Sequence, residues 1–389
     1  MINHEFLLSE TLKDIKPSGI RKFFDLLADM GDVTALTVGQ PDFVTPWHIR
    51  EAAIRSLERG QTYYTSNAGL PELREEICKY MNRRFCLEYA PSEVLVTVGG
   101  SEAIDVAMRS LINPGDEVII PMPSFVCYEP IARMAGAVPV IINTKEENGF
   151  KLSADELSSA ITDKTKLLVL PYPNNPTGAI LEREELEALA DVLRNTNIAI
   201  LSDEIYAELT FGKRHVSIAN IDGMRERTII ASGFSKAYAM TGWRLGYLLG
   251  PKAWISQMTK LHQFAIMCAP TASQFAAVEA LRAGDEDIEK MCAEYNRRRV
   301  FICEGLRSIG IPTIMPEGAF YIYPYIGGFG LSSEEFCERL LREEKCAIVP
   351  GTAFGECGEG YARISYAYSV RHISEALEKI ERFVSKLKK

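Results

Sequence analysis

The chain has 389 residues, 47% hydrophobic and 24% charged, with 28 glycines and 19 prolines. At about 150 residues per domain this length predicts two or three domains, and the ordinary composition excludes a disordered tail, a collagen-like fibre and a disulfide miniprotein. With 43 Lys and Arg against 52 Asp and Glu the net charge is −9, so the surface repels phosphate backbones and nucleic acid is not expected as a partner.

The N-terminus, Met1 to Glu10, has no basic region followed by an apolar run, so no secretory signal is expected. No apolar run reaches the roughly 18 residues of a membrane span, so no membrane association is expected. Nine dispersed cysteines without a Cys-x-x-Cys pair argue against a disulfide framework and a zinc ribbon, and suit a reducing, cytoplasmic compartment.

Glu93–Val98 is a β-branched run that reads as a strand, followed by Gly99-Gly100-Ser101 and a helical pattern from Glu102 to Leu111. Asn113-Pro114-Gly115-Asp116 breaks that pattern, and Glu117–Ile120 is the next strand. A helix near 124–135 leads to a strand at 138–142. Strands at Lys166–Leu170, Ile198–Ser202, Thr228–Ser232 and Leu245–Leu249 follow, with a helix at Arg183–Arg194. Strands separated by helices predict an α/β fold whose mostly parallel sheet is covered on both faces.

Beyond Arg282-Ala283-Gly284-Asp285 the pattern changes. Residues 285–309 form a long amphipathic helix whose Arg297, Arg298 and Arg299 are expected on a solvated face. Short strands at 319–325, 346–349 and 361–366 alternate with helices near 333–344 and 371–387, a second αβ unit needing only a small sheet.

Several motifs are missing. No Gly-x-Gly-x-x-Gly follows a strand, and there is no Gly-x-x-x-x-Gly-Lys-Ser/Thr loop and no Gly-x-Ser-x-Gly elbow. The five histidines lack metal-ligand spacing, so no metal is expected.

What is present is an ordered series. Gly99-Gly100-Ser101 joins a strand to a helix; backbone N–H groups and a hydroxyl there suit a phosphate dianion, although taken alone such a junction is more often an ordinary helix cap. Pro171-Tyr172-Pro173-Asn174-Asn175-Pro176-Thr177-Gly178 closes one strand and Ser202-Asp203-Glu204-Ile205-Tyr206 the next. Ser232-Gly233-Phe234-Ser235-Lys236-Ala237-Tyr238 runs on to Thr241-Gly242-Trp243-Arg244, and Tyr361-Ala362-Arg363-Ile364-Ser365-Tyr366 stands near the end. Each falls at or just past a strand's C-terminal end, where open α/β sheets bind ligands.

This ordered set, together with Leu36-Thr37-Val38-Gly39-Gln40-Pro41-Asp42-Phe43 and Tyr63-Tyr64-Thr65-Ser66-Asn67, resembles the class I/II aminotransferases, pyridoxal-5′-phosphate (PLP) enzymes of fold type I. It is similar to the bacterial and archaeal aspartate and aromatic branch, and the likeness covers nearly the whole chain. The resemblance implies a large cofactor-binding domain at 46–281 with a mostly parallel seven-stranded sheet. It also implies a small α/β domain assembled from 1–45 and 282–389.

By the same resemblance Lys236 is the catalytic lysine that bonds the cofactor aldehyde and later shuttles a proton. Asp203 partners the pyridine nitrogen, Asn175 and Tyr206 hold the ring oxygen, and Phe125 stacks on the ring. Gly100, Ser101, Ser235 and Arg244 hold the phosphate, with Tyr64 donated across a homodimer interface. Arg363 clamps the substrate α-carboxylate, assisted by Gly39 and Asn175. Ile15–Ile20 lines the substrate side chain, and a cis Asn175–Pro176 bond is implied. One departure is Gly233, where many relatives carry Ser; the missing phosphate contact is either lost or supplied by Ser232.

The activity implied is transfer of an amino group from an L-amino acid to a 2-oxo acid by a ping-pong cycle. Aspartate, aromatic and acylated diamino acids are the candidate donors, with glutamate and 2-oxoglutarate. The alternatives are C–S β-elimination on the same scaffold, or a non-catalytic PLP-binding regulatory module. Against the last, the chain is expected to start too close to the family's own N-terminal region to hold a DNA-binding domain.

Overall fold

A computed structural model describes residues 4, 6–13, 15–17, 19 and 31–388. The first elements are α1 (Glu10–Lys13), β1 (Thr34–Ala35), α2 (Trp47–Glu58) and α3 (Pro71–Phe85). Next come β2 (Val94–Thr97), α4 (Gly99–Leu111), β3 (Glu117–Met122), α5 (Tyr128–Met134), β4 (Val138–Asn143), α6 (Ala154–Ala160) and β5 (Thr165–Leu170). They are followed by α7 (Arg183–Leu193), β6 (Ala199–Asp203), β7 (Thr228–Gly233), β8 (Gly246–Leu249), α8 (Lys252–Ala265) and α9 (Thr271–Ala283).

Strands β2 to β8 form one seven-stranded sheet in the order β2-β8-β7-β6-β5-β3-β4. Strand β8 runs antiparallel to both its neighbours, and the other pairings are parallel. Every residue of β2, β6, β7 and β8 is buried, which is why these strands read as continuous apolar runs rather than alternating ones. The period of two still sorts the faces. Leu167 and Val169 pack with Ile104 and Met108 of α4, while Leu168 and Leu170 pack with Leu186, Leu189 and Leu193 of α7.

The remaining elements are α10 (Asp285–Ser308), β9 (Tyr321–Ile322), α11 (Ser333–Glu344), β10 (Cys346–Ala347), β11 (Val349–Pro350), β12 (Ala362–Ser365) and α12 (Val370–Leu387). β11, β12 and β9 make a small antiparallel sheet. β1 pairs in parallel with β10, Thr34 opposite Cys346, which ties the segment before α2 to the far end of the chain. The expected single strand at 346–349 is thus divided between two sheets, with Ile348 at the changeover.

Two further expectations need correction. The helix read from Glu102 begins at Gly99, so Gly99, Gly100 and Ser101 are its first turn rather than a loop before it. The arginine cluster of α10 is not uniformly solvated. Arg298 is buried, donating to Asp42 Oδ1 at 2.8 Å and to Glu294 Oε1 at 3.0 Å, and Arg299 donates to Pro316 O at 2.7 Å. Only Arg297 has a largely exposed side chain, because remote carboxylate and carbonyl groups reach the other two.

Candidate active site

The strand order sets β6 between β5 and β7. Asp203 ends β6, and the Asn175 and Lys236 segments leave the C-terminal ends of its two neighbours, so three motifs far apart in sequence meet at one rim. They line a cavity of about 370 Å³. Gly39, Gly100, Ser101, Phe125, Asn175, Asp203, Tyr206, Ser235, Lys236, Arg244 and Arg363 all face it.

One end is built for an anion. The first turn of α4 leaves backbone N–H groups free, and the helix dipole adds partial positive charge. Gly99 has φ +80° there, a left-handed conformation that favours glycine, and a Cβ 2.5 Å from an Arg244 guanidinium nitrogen would push the arginine aside. Arg244 donates to Thr241 O at 3.0 Å, and Ser101 and Ser235 add hydroxyls to the same lining. At Gly233 a Cβ would sit 2.9 Å from Gly246 Cα and Leu245 O, leaving no room for serine. Ser232 does not replace it: its hydroxyl donates to Glu204 O at 3.3 Å, and it does not line the cavity.

At the centre Lys236 Nζ donates to Gly39 O at 2.6 Å. Burial, with Arg363 and Arg244 nearby, lowers its amine to about 8, although Asp203 pulls the other way. Asp203 is 7% exposed; Oδ2 accepts from the Tyr128 hydroxyl at 2.6 Å and Oδ1 from Ile205 N–H at 3.1 Å. Its burial pushes the carboxyl up, and the Tyr128 hydrogen bond is the largest opposing influence. Tyr206 and Tyr321 share a hydroxyl–hydroxyl hydrogen bond of 2.8 Å. The Asn175–Pro176 bond is cis, as are Tyr172–Pro173 and Met122–Pro123.

Across the cavity Arg363 is 2% exposed. It donates to Asn175 Oδ1 at 3.0 Å and Thr37 O at 2.6 Å, and lies between the rings of Tyr321 (4.5 Å) and Phe354 (4.7 Å). Its Nε has no partner, and no carboxylate among the described residues pairs with it. Burial without a counter-ion lowers its pKa, and such a cation is costly unless an anion arrives. With Lys236, Arg244 and Arg363 facing a single carboxylate, Asp203, the described lining carries more positive than negative charge.

Tyr64 is the site residue that does not join this group: it is 79% exposed and outside the cavity lining. Of the expected Ile15–Ile20 wall, Ser18 and Ile20 lie outside the described residues, and the others do not line the cavity. Sequence reasoning passed over Tyr128, Tyr321 and Thr37. Tyr128 stands three residues after Phe125, and Tyr321 lies in the aromatic run Phe320–Tyr323, but neither belongs to a motif with its own chemistry.

The sequence profile of the family described as "Aminotransferase class I and II" matches residues 31–380. The chain is 52% identical over 380 residues to "Putative aminotransferase YugH" of Bacillus subtilis, covering 97% of this chain and 98% of that one. It is 44% identical over 387 residues to an aspartate aminotransferase of Pyrococcus abyssi, covering 98% of this chain and 99% of that one. The crystal structure of an aromatic aminotransferase from Pyrococcus horikoshii superposes with a TM-score of 0.90 at 43% identity, covering 94% of this chain and 99% of that one. Near-equal likeness to enzymes named for different substrates leaves the donor open, but the family, the fold and the kind of reaction agree in all of them. The chain therefore belongs to the class I and II aminotransferases, enzymes that work with pyridoxal 5′-phosphate.

Proposed function

We propose that this aminotransferase transfers the amino group of an L-amino acid to a 2-oxo acid by a ping-pong cycle, with the cavity residues in the following roles. The observation that carries the reading is Arg363, a buried guanidinium with no carboxylate partner, set across one cavity from a lysine whose amine is lowered to about 8.

The residues present fit PLP. Its phosphate suits the first-turn amides of α4 at Gly100 and Ser101, the Ser101 and Ser235 hydroxyls, and the Arg244 fork. Asp203 suits the ring nitrogen, Asn175 and Tyr206 the ring oxygen, Phe125 the ring face and Lys236 the aldehyde. Bound there, the cofactor supplies an aldehyde for the substrate amine and a cationic ring that accepts the electron pair left at Cα.

The chain's own residues do the rest. Arg363 pairs with the α-carboxylate through two parallel hydrogen bonds, and Asn175 and Gly39 flank it, so the Cα–H bond is held in one orientation. Lys236 Nζ, whose amine is lowered to about 8 by burial and the nearby arginines, is the group placed to take the proton from Cα and hold it.

The active unit is a homodimer in which Tyr64 of one protomer completes the phosphate site of the other. Supporting this, Tyr64 is 79% exposed beside the solvent-facing Tyr63 (59%), and Trp47 (58%), Leu57 (55%) and Phe264 (87%) are further large apolar side chains left exposed in the single chain.

The test is a half-reaction. Mixing PLP-loaded protein with a donor alone should convert its spectrum to that of the pyridoxamine form. Aspartate, the aromatic amino acids and acylated diamino acids are the donors to try first, with glutamate for the return half. No conversion with any common or acylated amino acid would reject the function. Release of pyruvate and ammonia without a 2-oxo acid would point to β-elimination instead.

A further inference from the structure

We propose that Tyr128 is a positioning residue of the cofactor site, its hydroxyl holding the Asp203 carboxylate ionised and aimed at the cationic ring nitrogen. The inference rests on the reading that Asp203 meets that nitrogen.

The geometry is specific. Tyr128 opens α5, is 2% exposed, and places its hydroxyl 2.6 Å from Asp203 Oδ2 across 75 positions of sequence. Its ring also stands edge-on to Phe125, with centroids 6.2 Å apart and planes at 81°. One side chain therefore touches both the aromatic that faces the cavity and the carboxylate at the end of β6.

The electrostatics around Asp203 give the contact its weight. From α5 and the residue before it, the carboxylate faces Tyr128 and the Cys127 thiol; from the turn after β7, Lys236; from its own segment, Glu204 and Tyr206. Burial and the neighbouring Glu204 both favour the neutral acid, which could not hold a ring nitrogen protonated. Lys236 opposes them only while charged, and its amine loses that charge above about 8. Tyr128 opposes them without losing anything. Its own hydroxyl is pushed well above the ordinary tyrosine range by burial and by Asp203, so it remains a donor throughout the working pH range. A hydrogen bond from a neutral donor to a buried carboxylate is among the stronger kinds.

The experiment compares cofactor-free wild type, Tyr128→Phe, Asp203→Asn and the double variant. Each is titrated with PLP and with an analogue in which the ring nitrogen is replaced by C–H. Tyr128→Phe removes one oxygen and keeps the ring against Phe125, and a thermal unfolding scan of the cofactor-free protein checks the fold. The expected result is about a 10- to 100-fold loss of PLP affinity in Tyr128→Phe, the range for a lost hydrogen bond to a charged group. The analogue should bind with little change, and Tyr128→Phe should add nothing in the Asp203→Asn background. Unchanged PLP affinity, or equal losses for both compounds, would overturn the proposal. If Asp203→Asn itself leaves the preference for PLP over the analogue intact, the role assigned to Asp203 fails. If only Tyr128→Phe leaves it intact, the role of Asp203 stands and that of Tyr128 falls.

Discussion

Lys236 makes the reasoning about this cavity measurable without any substrate. In the cofactor-free protein its amine falls from 10.5 to about 8, chiefly by burial and then by Arg363. At roughly 1.4 kcal/mol per tenfold change, folding disfavours the ammonium form by about 3 kcal/mol. The sign follows from which state holds the proton more tightly. Below about pH 8 both folded and unfolded lysine are charged, and the folded state carries the whole penalty. Between about 8 and 10.5 the folded amine is neutral while the unfolded one is still charged, so raising the pH removes the penalty.

Replacing Lys236 by Met keeps most of the volume and removes the charge. It also removes the 2.6 Å bond to Gly39 O, a loss that does not depend on pH. The informative quantity is therefore how the stability difference between Lys236→Met and wild type varies with pH. Denaturant unfolding of the cofactor-free proteins should show the Met variant's advantage shrinking by about 2.5 kcal/mol between pH 7 and pH 10. A difference that stays flat, or grows with pH, would refute a desolvated lysine flanked by arginines. The rate at which the wild-type protein takes up PLP should rise over the same interval, with a midpoint near 8.

Arg363→Gln removes the paired guanidinium donors while leaving the phosphate end intact; KM for the donor should rise at least about tenfold, with little change in PLP affinity. Equal losses of both would mean that Arg363 supports the fold rather than the carboxylate. If Tyr64 acts across the interface, mixing Tyr64→Ala with Lys236→Ala protein under exchange conditions should restore intact sites to about a quarter of the total. Recovery of none, with exchange confirmed by mass, would place Tyr64 outside the partner's site.

Much of the fold was legible because its strands are apolar runs closed by Gly, Pro, Asn and Asp. Seven such runs form the main sheet, and the motifs at their ends share one cavity. Helices were harder. α9 buries Ser273, Gln274, Ala276, Ala277, Val278, Ala280 and Leu281, nearly all round, so no apolar stripe marks it. α3 carried readable signals, Pro71 at its start and Arg83 and Arg84 in its last turn, but no strand follows closely enough to frame it. Arg298 was misread because a charge run normally points to water, and only the fold shows Asp42 arriving from 256 positions away. Tyr128 and Tyr321 escaped for the same reason. Each is chemically silent until Asp203 or Tyr206 is brought to its hydroxyl from 75 or 115 positions off.

The charge of the chain and the charge of the cavity follow different logic. A net −9 describes a solvated surface, where exposed charges are screened and individually weak. Inside the cavity burial removes that screening, and three cations face one carboxylate. Burial works against three of these charges: it lowers Lys236 and Arg363 and raises Asp203. A site that only had to be stable would neutralise such groups or replace them with apolar ones. Here each is held by a neutral hydrogen-bonding partner: Asn175 and Thr37 for Arg363, Gly39 for Lys236, Tyr128 for Asp203. Neutral partners orient a charge without cancelling it, so the attraction remains available to a phosphate, a carboxylate and a ring cation when they enter. A cofactor-loaded protein should accordingly be more stable than the cofactor-free one by more than Lys236 alone accounts for, because the penalties at Lys236 and Asp203 are relieved together, while that at Arg363 is relieved only when a substrate carboxylate enters.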